Sequence, residues 1–304
     1  MQVLVTGGTG LVGRRLLPRL RERGHDVLVL SRQTNPALPD GCTPLNGDPA
    51  VAGPWLDRLS SCDAVVHLAG ENVFAHRWRK HFKQRLYSSR IDSTKLIAET
   101  LAQQPFRADG SPKILVSASA VGYYGPHDRE ELDEDSPPGT DFLATICTDW
   151  EKAAVPASVA GVRVAYIRIG MVLDSEGGAL RKLVRPFRCF VGGPVAGGKQ
   201  WVSWIHVADL VGLILFALDR PDASGPFNAT APEPLTNWGF CKALGKVLHR
   251  PSWLNVPGFA VRILLGQVAT VVNDGQRVLP QRAEKLGFSF VFPEVELALR
   301  DLLK

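Results

Sequence analysis

The chain has 304 residues, room for about two domains, and its 45% hydrophobic and 21% charged residues are the balance of a chain that buries a core. Composition therefore excludes disorder over most of the length. Lys and Arg total 35 against 30 for Asp and Glu, and a net charge of +5 is too dilute to argue for nucleic acid. Five cysteines, Cys42, Cys62, Cys147, Cys189 and Cys241, are odd in number and form no C-x-x-C. That excludes a disulfide scaffold or zinc knuckle and fits a reducing compartment.

Val3-Leu4-Val5 opens a strand with no basic leader ahead of it, and Leu210 to Leu218 is about half a membrane span. The expectation is a cytoplasmic protein with neither membrane nor nucleic-acid partner. Gln2 to Val5, Val27 to Leu30, Ala64 to Leu68, Lys113 to Val116 and Val162 to Ile167 read as strands. Being apolar throughout, they predict a parallel sheet buried on both faces. Leu16, Leu17 and Leu20 share one face of a first helix, with Pro18 inside it and Gly24 as its stop. Longer helices are expected over roughly His76 to Gln103 and Asp141 to Val159. Near residue 175 the rhythm loosens into Gly192-Gly193-Pro194 and Gly197-Gly198. The expected organisation is a Rossmann-type doubly wound domain over 1–175 and a smaller α/β substrate domain over 176–304. A strand and helix within 205–230, with Phe227 to Ala229 the strand, are candidates to return to the first sheet.

Between the first strand and the first helix lies Thr6-Gly7-Gly8-Thr9-Gly10-Leu11-Val12-Gly13. Gly8, Gly10 and Gly13 satisfy G-x-G-x-x-G, and Gly7, Gly10 and Gly13 satisfy G-x-x-G-x-x-G. Glycine is needed there because a tight turn brings backbone N–H groups and a helix N-terminus against a pyrophosphate. The order strand, loop, helix, strand supplies the confirming context. At the end of the second strand, where an NAD site carries an acid for the ribose 2′-OH, this chain has Ser31-Arg32. A guanidinium suits a 2′-phosphate, so the expected cofactor is NADP(H). Gly193 to Lys199 fits G-x-x-x-x-G-K, but Gln200 stands where a magnesium-holding hydroxyl is required, which argues against a P-loop. No metal constellation is found.

The glycine loop, Asn46-Gly47-Asp48, Asp63 to Ala69, and Ser117-Ala118-Ser119 followed by Tyr123-Tyr124-Gly125 resemble the extended short-chain dehydrogenase/reductases. Gly70-Glu71-Asn72, Pro186-Phe187-Arg188, Gly192-Gly193-Pro194, Trp204 to Asp209 and Pro280-Gln281-Arg282 make the sequence similar to an atypical epimerase-family branch that includes the bacterial YfcH proteins. The resemblance implies that Leu68, Ala69 and Gly70 line the cofactor, with Asp48 beside the adenine and Leu173 near the nicotinamide. Arg90 stands where the superfamily carries the Asn of N-V-x-G-T, and from there it would reach the cofactor phosphates, with Arg85 a weaker candidate.

The superfamily's chemistry depends on Tyr-x-x-x-Lys, in which the ammonium makes the phenol a usable acid/base. None of the four tyrosines has a Lys four residues on, and the matching positions are Leu143 and Cys147. The substitutes are Ser119 as hydroxyl donor and Tyr123 or Tyr124 as phenol, with Cys147 a thiol alternative. No acid lies between Glu176 and Asp209, where Arg181, Lys182, Arg185, Arg188 and Lys199 cluster with Trp201, Trp204 and His206. Residues 185–206 are expected to form a mobile cover over an anionic substrate, contacted by Arg188, Lys199, Trp201, Trp204 and His206. The expected function is an NADP(H)-dependent oxidoreductase or nucleotide-sugar-epimerase-like enzyme on a small polar or anionic molecule. The alternative is a redox-sensing NADP(H)-binding protein without turnover.

Overall fold

The computed structural model describes residues 1–304. Strands β1 (Gln2–Thr6), β2 (Asp26–Ser31), β3 (Cys42–Asn46), β4 (Ala64–His67) and β5 (Ile114–Ala120) join Arg163–Ile169 and Gly225–Ala229 in one seven-stranded sheet. Its order is Gly225–Ala229, Arg163–Ile169, β5, β4, β1, β2, β3, and every pairing is parallel. The doubly wound Rossmann-type sheet expected from the apolar strands is therefore present. Val3, Leu4 and Val5 are fully buried, as burial on both faces requires. The strand at Cys42–Asn46 escapes sequence reading because it lies at the sheet edge, partly exposed, with Pro44 inside it.

On one face helix α1 (Leu11–Glu22) presents Leu16, Leu17 and Leu20 to Val3, Val5 and Val27, together with Leu210, Leu213 and Ile214 further along the chain. On the other face α2 (Trp55–Ser61) and α3 (Lys80–Gln103) bury Trp55, Leu59, Ile97 and Leu101 against Leu4, Val65 and Leu115. The helix expected from His76 begins at Lys80. The one expected from Asp141 to Val159 is broken into α4 (Phe142–Ala153) and α5 (Val155–Val159), with Pro156 in the first turn of the second piece. Asp141 caps α4 by accepting from Leu143 N at 2.7 Å and Ala144 N at 3.1 Å.

Helix α6 (Gly178–Arg188) follows, and α7 (Val207–Asp219) leads into Gly225–Ala229 at the sheet edge. Residues 205–229 thus pack on the sheet that residues 2–169 build. A separate core joins α6 to α8 (Asn237–Leu248) and the C-terminal helix Val295–Leu302 through Phe187, Trp204, Phe240, Leu244 and Leu299. No helix is long and apolar enough to cross a membrane.

Candidate cofactor cleft and active site

Because the strands are parallel, the turns after β1, β2, β3 and β4 all open at one edge of the sheet, where open α/β folds bind ligands. The turn after β1 is tight. Gly10 N donates to Gly7 O at 2.9 Å, and Gly7 has φ +70°. A Cβ on Gly7 would lie 2.8 Å from the Leu68 carbonyl carbon, and one on Gly13 would lie 2.5 Å from both Gly7 O and Gly8 Cα. The spacing thus presses Gly7 against the end of β4 and Gly8 against Val29 of β2, with Thr9 and Gly10 completing the turn and Leu11, Val12 and Gly13 opening α1. That helix has neither a side-chain cap nor an acid in its first turn, so its N–H groups are left for an anion. These residues fit a dinucleotide.

Ser31 ends β2 and accepts from Gln33 N at 3.1 Å, which leaves Arg32 exposed beside the edge. Asp48 follows β3 and spends one oxygen on Ala50 N at 2.9 Å. Leu68, Ala69 and Gly70 follow β4, and Ala69 N donates to Thr6 Oγ1 at 3.2 Å. Leu11 packs under Gly177 and Gly178, where added Cβ atoms would approach it to 2.8 Å and 3.1 Å. Arg15 holds that segment by a two-pronged bond to Asp174 at 2.9 Å and 3.1 Å.

Arg90 does not point freely into the cleft. Its guanidinium donates to Leu86 O at 3.0 Å and Glu71 O at 2.9 Å, lies over Trp150, and sits behind Gly70. Arg85 pairs with Glu71 at 2.9 Å. Leu173, expected near the nicotinamide, buries its side chain fully in the C-terminal core.

The strand β5 delivers Ser119, and the single turn Val121–Tyr124 follows. Here the three hydroxyl candidates part. Tyr124 is fully buried, donates to Asn228 Oδ1 at 2.7 Å, and accepts from Arg168 Nη1 at 2.9 Å. Burial pushes its phenol well above the ordinary range, and Arg168 offsets this only in part. Tyr124 is a core hydrogen-bonding group rather than an acid/base. Ser119 is buried too, and donates to Glu151 Oε1 at 2.8 Å. Only Tyr123 keeps part of its surface in solvent, with the Arg168 guanidinium 3.5 Å from its ring centroid. Leu143 and Cys147, the positions matching the missing dyad, face Gly122 in this turn. Cys147 is buried, and desolvation pushes its thiol up to about 12, which removes it as a thiolate at neutral pH.

Sequence reasoning missed the centre of this network. Arg168 forms a bidentate pair with Glu151, both bonds 2.9 Å, and burial, which opposes its charge, is outweighed by those bonds. Glu134 accepts from Asn228 N at 2.9 Å and Arg282 N at 3.1 Å. The available signal was a lone arginine inside the apolar strand Tyr166 to Ile169, since a buried charge demands a partner.

The expected cover over the substrate takes another form. Arg188 and Lys199 are exposed and Trp201 is half-buried, its indole donating to Asp128 O at 2.8 Å. Trp204 is fully buried and donates to Glu233 O at 3.0 Å. His206 is buried, caps α7 by accepting from Ala208 N at 3.1 Å, and stacks on Phe292 with centroids 3.9 Å apart. These two pack the interior and do not line a pocket. Three of the four glycines in this segment are packed rather than free to hinge, whereas a Cβ on Gly197 would meet nothing within 4 Å. Gly192 lies against the Phe187 ring, Gly193 against the Leu254 backbone, and Gly198 against Trp238, where small size permits close packing.

Comparison with known proteins agrees with this geometry. The sequence profile of the NAD dependent epimerase/dehydratase family matches residues 3–230, and a domain of unknown function, DUF1731, matches residues 256–302. The chain is 45% identical to the Arabidopsis thaliana chloroplastic homolog of epimerase family protein SDR39U1, over 100% of this chain and 87% of the relative. It is 36% identical to the Mus musculus SDR39U1, covering 100% of each. The crystal structure of human SDR39U1 with NADPH superposes with a TM-score of 0.87 at 35% identity, over 99% of both chains. The chain belongs to the NAD dependent epimerase/dehydratase family, and within it to the SDR39U1-type epimerase family proteins.

Proposed function

We propose that the chain binds NADP(H) at the glycine loop and transfers hydride between it and a small polar or anionic substrate. The observation that carries the cofactor is Arg32, exposed beside the cleft at the end of β2, where an acid would serve NAD. Its forked guanidinium suits a 2′-phosphate, and the human relative's NADPH is consistent with this. When bound, the cofactor supplies or accepts hydride at the nicotinamide. The N–H groups at the start of α1 would hold the diphosphate. Tyr123, the partly exposed phenol of the candidate set, would exchange a proton with the substrate oxygen. Ser119 commits its proton to Glu151, so only its oxygen's acceptor capacity would be left for substrate.

The test is titration of wild type and Arg32→Ala with NADPH and NADH. Loss of a charge-assisted contact costs about 1.5–3 kcal/mol, or about 10- to 150-fold in NADPH affinity. Equal affinities for both cofactors in the wild type overturn the assignment.

A second reading, NADP(H) binding without turnover, draws on the burial of Ser119, Tyr124 and Cys147. A screen of carbonyl compounds and sugar nucleotides followed by NADPH absorbance separates the two. Consumption that falls about 10²–10⁴-fold in Tyr123→Phe supports catalysis. No consumption across the screen favours the second reading.

A further inference from the structure

We propose that helix α9 (Gly258–Leu265) seats the protein on an anionic lipid bilayer, lying among the headgroups with its outward side chains at the acyl boundary. The proposal does not rest on the reading of the cofactor cleft. In α9 the only polar side chain is that of Arg262. A helix apolar on every side is ordinarily buried in a large core or in a membrane. Here the protein covers one side only. Val261 packs inward, whereas Phe259, Ile263 and Leu264 are 70%, 72% and 71% exposed. Phe259 and Ile263 lie about 40° apart on the outward face, flanked by Arg262 on one side and Leu264 on the other. Eight residues rise about 12 Å, too short to span a bilayer but long enough to lie along its surface. The expectation of no membrane partner rests on the lack of a spanning segment, a test that such a helix escapes.

The electrostatics select the occupant. Between Glu233 and Asp274 there is no acid, while Lys242, Lys246, Arg250 and Arg262 are present. Arg77 reaches the last turn of α9 and donates to Ile263 O at 3.2 Å and Leu264 O at 3.0 Å. A second cation therefore stands beside the apolar stripe, its bonds made to carbonyls that leave its charge intact. The acid beside Arg262 is Asp274, and desolvation holds that carboxyl above its ordinary range. Upstream in the chain the pairing of bare ring and cation recurs. Trp253 is exposed, with its indole donating to Phe190 O at 3.0 Å, and Arg250 lies over the exposed Phe190 ring, 4.6 Å from its centroid. An indole whose N–H is satisfied and whose ring is bare suits the boundary between headgroup and hydrocarbon.

These features fit lipid better than a second copy of the chain. Two copies meeting through this face would set cations against cations, with few carboxylates to answer them. An anionic bilayer supplies phosphates beside hydrocarbon, and so meets the charge and the apolar stripe together.

The test is flotation of the full-length protein with vesicles of phosphatidylcholine alone or of phosphatidylcholine mixed with phosphatidylglycerol. Flotation with the mixed vesicles is expected, and much less with phosphatidylcholine alone. Phe259→Gln/Ile263→Gln should lower partitioning about tenfold or more, because two side chains no longer enter hydrocarbon. Arg262→Gln should lower it about fivefold, the share of one cation near an anionic surface. All three side chains stand in solvent, so the variants fold, and circular dichroism verifies this. The proposal is overturned by no flotation with the mixed vesicles, by undiminished flotation of the double variant, or by equal flotation with both vesicle types. A wild-type dimer in light scattering that the double variant abolishes overturns it as well, and assigns the face to a second copy.

Discussion

His67, at the end of β4, ties the cofactor cleft together and gives the fold an acid-sensitive point. Its ring is fully buried, with Nδ1 2.7 Å from Thr6 Oγ1 and Nε2 3.0 Å from Ser93 Oγ. Ser93 gives its own proton to carbonyl oxygens of the preceding turn, the nearest being Ser89 O at 2.9 Å. Nε2–H must therefore donate to Ser93, which leaves Nδ1 to accept from Thr6. A second ring proton has no acceptor. Burial first, and the Arg90 cation second, push the ring from 6.5 down to about 3. The folded-state value lies below the unfolded one, so the unfolded chain takes up a proton first as pH falls. The contribution of His67 is complete above about pH 6.5 and is lost progressively below it, at about 1.4 kcal/mol per pH unit. Between about pH 6.5 and pH 5 the loss is about 2 kcal/mol. Urea denaturation of wild type and His67→Asn across that range isolates it. The substitution keeps one donor and one acceptor, lowers stability at every pH, and removes the histidine's share of the slope. Parallel pH dependences in the two proteins refute the reasoning.

Four further outcomes follow from the same contacts. Gly13→Ala forces a methyl to 2.5 Å from Gly7 O, and should cost about 1–3 kcal/mol along with most NADPH affinity, read by thermal shift and fluorescence titration. Unchanged binding would mean that the turn does not hold a dinucleotide. Tyr124→Phe leaves Asn228 Oδ1 and one Arg168 N–H without a partner, a loss of about 1–3 kcal/mol in urea denaturation, with NADPH affinity retained. Trp204→Ala empties part of the C-terminal core and should cost about 3–5 kcal/mol, whereas a cover residue would leave stability unchanged. Arg32→Ala lowers NADPH affinity toward that for NADH, as measured by the titration already described.

The sheet was legible because its signals are local. Apolar runs such as Val27 to Leu30 and the glycine spacing after β1 each report on their own few residues and need no partner to be read. Edge strand Cys42–Asn46 lacked that signal because it is partly exposed. The site was legible only where backbone does the work. Side-chain roles depend on distant partners, and sequence proximity misleads. Tyr123 and Tyr124 are neighbours, yet in a single tight turn one ring stays at the surface while the other points inward to Asn228, 104 residues away in the chain. Trp201 and Trp204 separate in the same way: they lie on two different short strands, and only the second is buried throughout.

What the sequence could have yielded is the demand for partners rather than their identity. Arg168 is buried in an apolar strand next to the edge of the sheet, and an unpaired guanidinium there would be untenable. Glu151 meets the need from α4, and the same carboxylate then accepts from Ser119. One partly buried acid therefore fixes the orientation of the hydroxyl that the family's chemistry makes prominent. With Leu143 and Cys147 in place of a phenol and an ammonium, no mobile cation stands beside that hydroxyl; the charge is carried instead by Arg168, held at four hydrogen bonds. A guanidinium so held cannot release a proton. Any acid/base work in this cleft must therefore fall to a group that Arg168 only positions, and Tyr123, whose ring it covers, is the candidate that keeps contact with solvent.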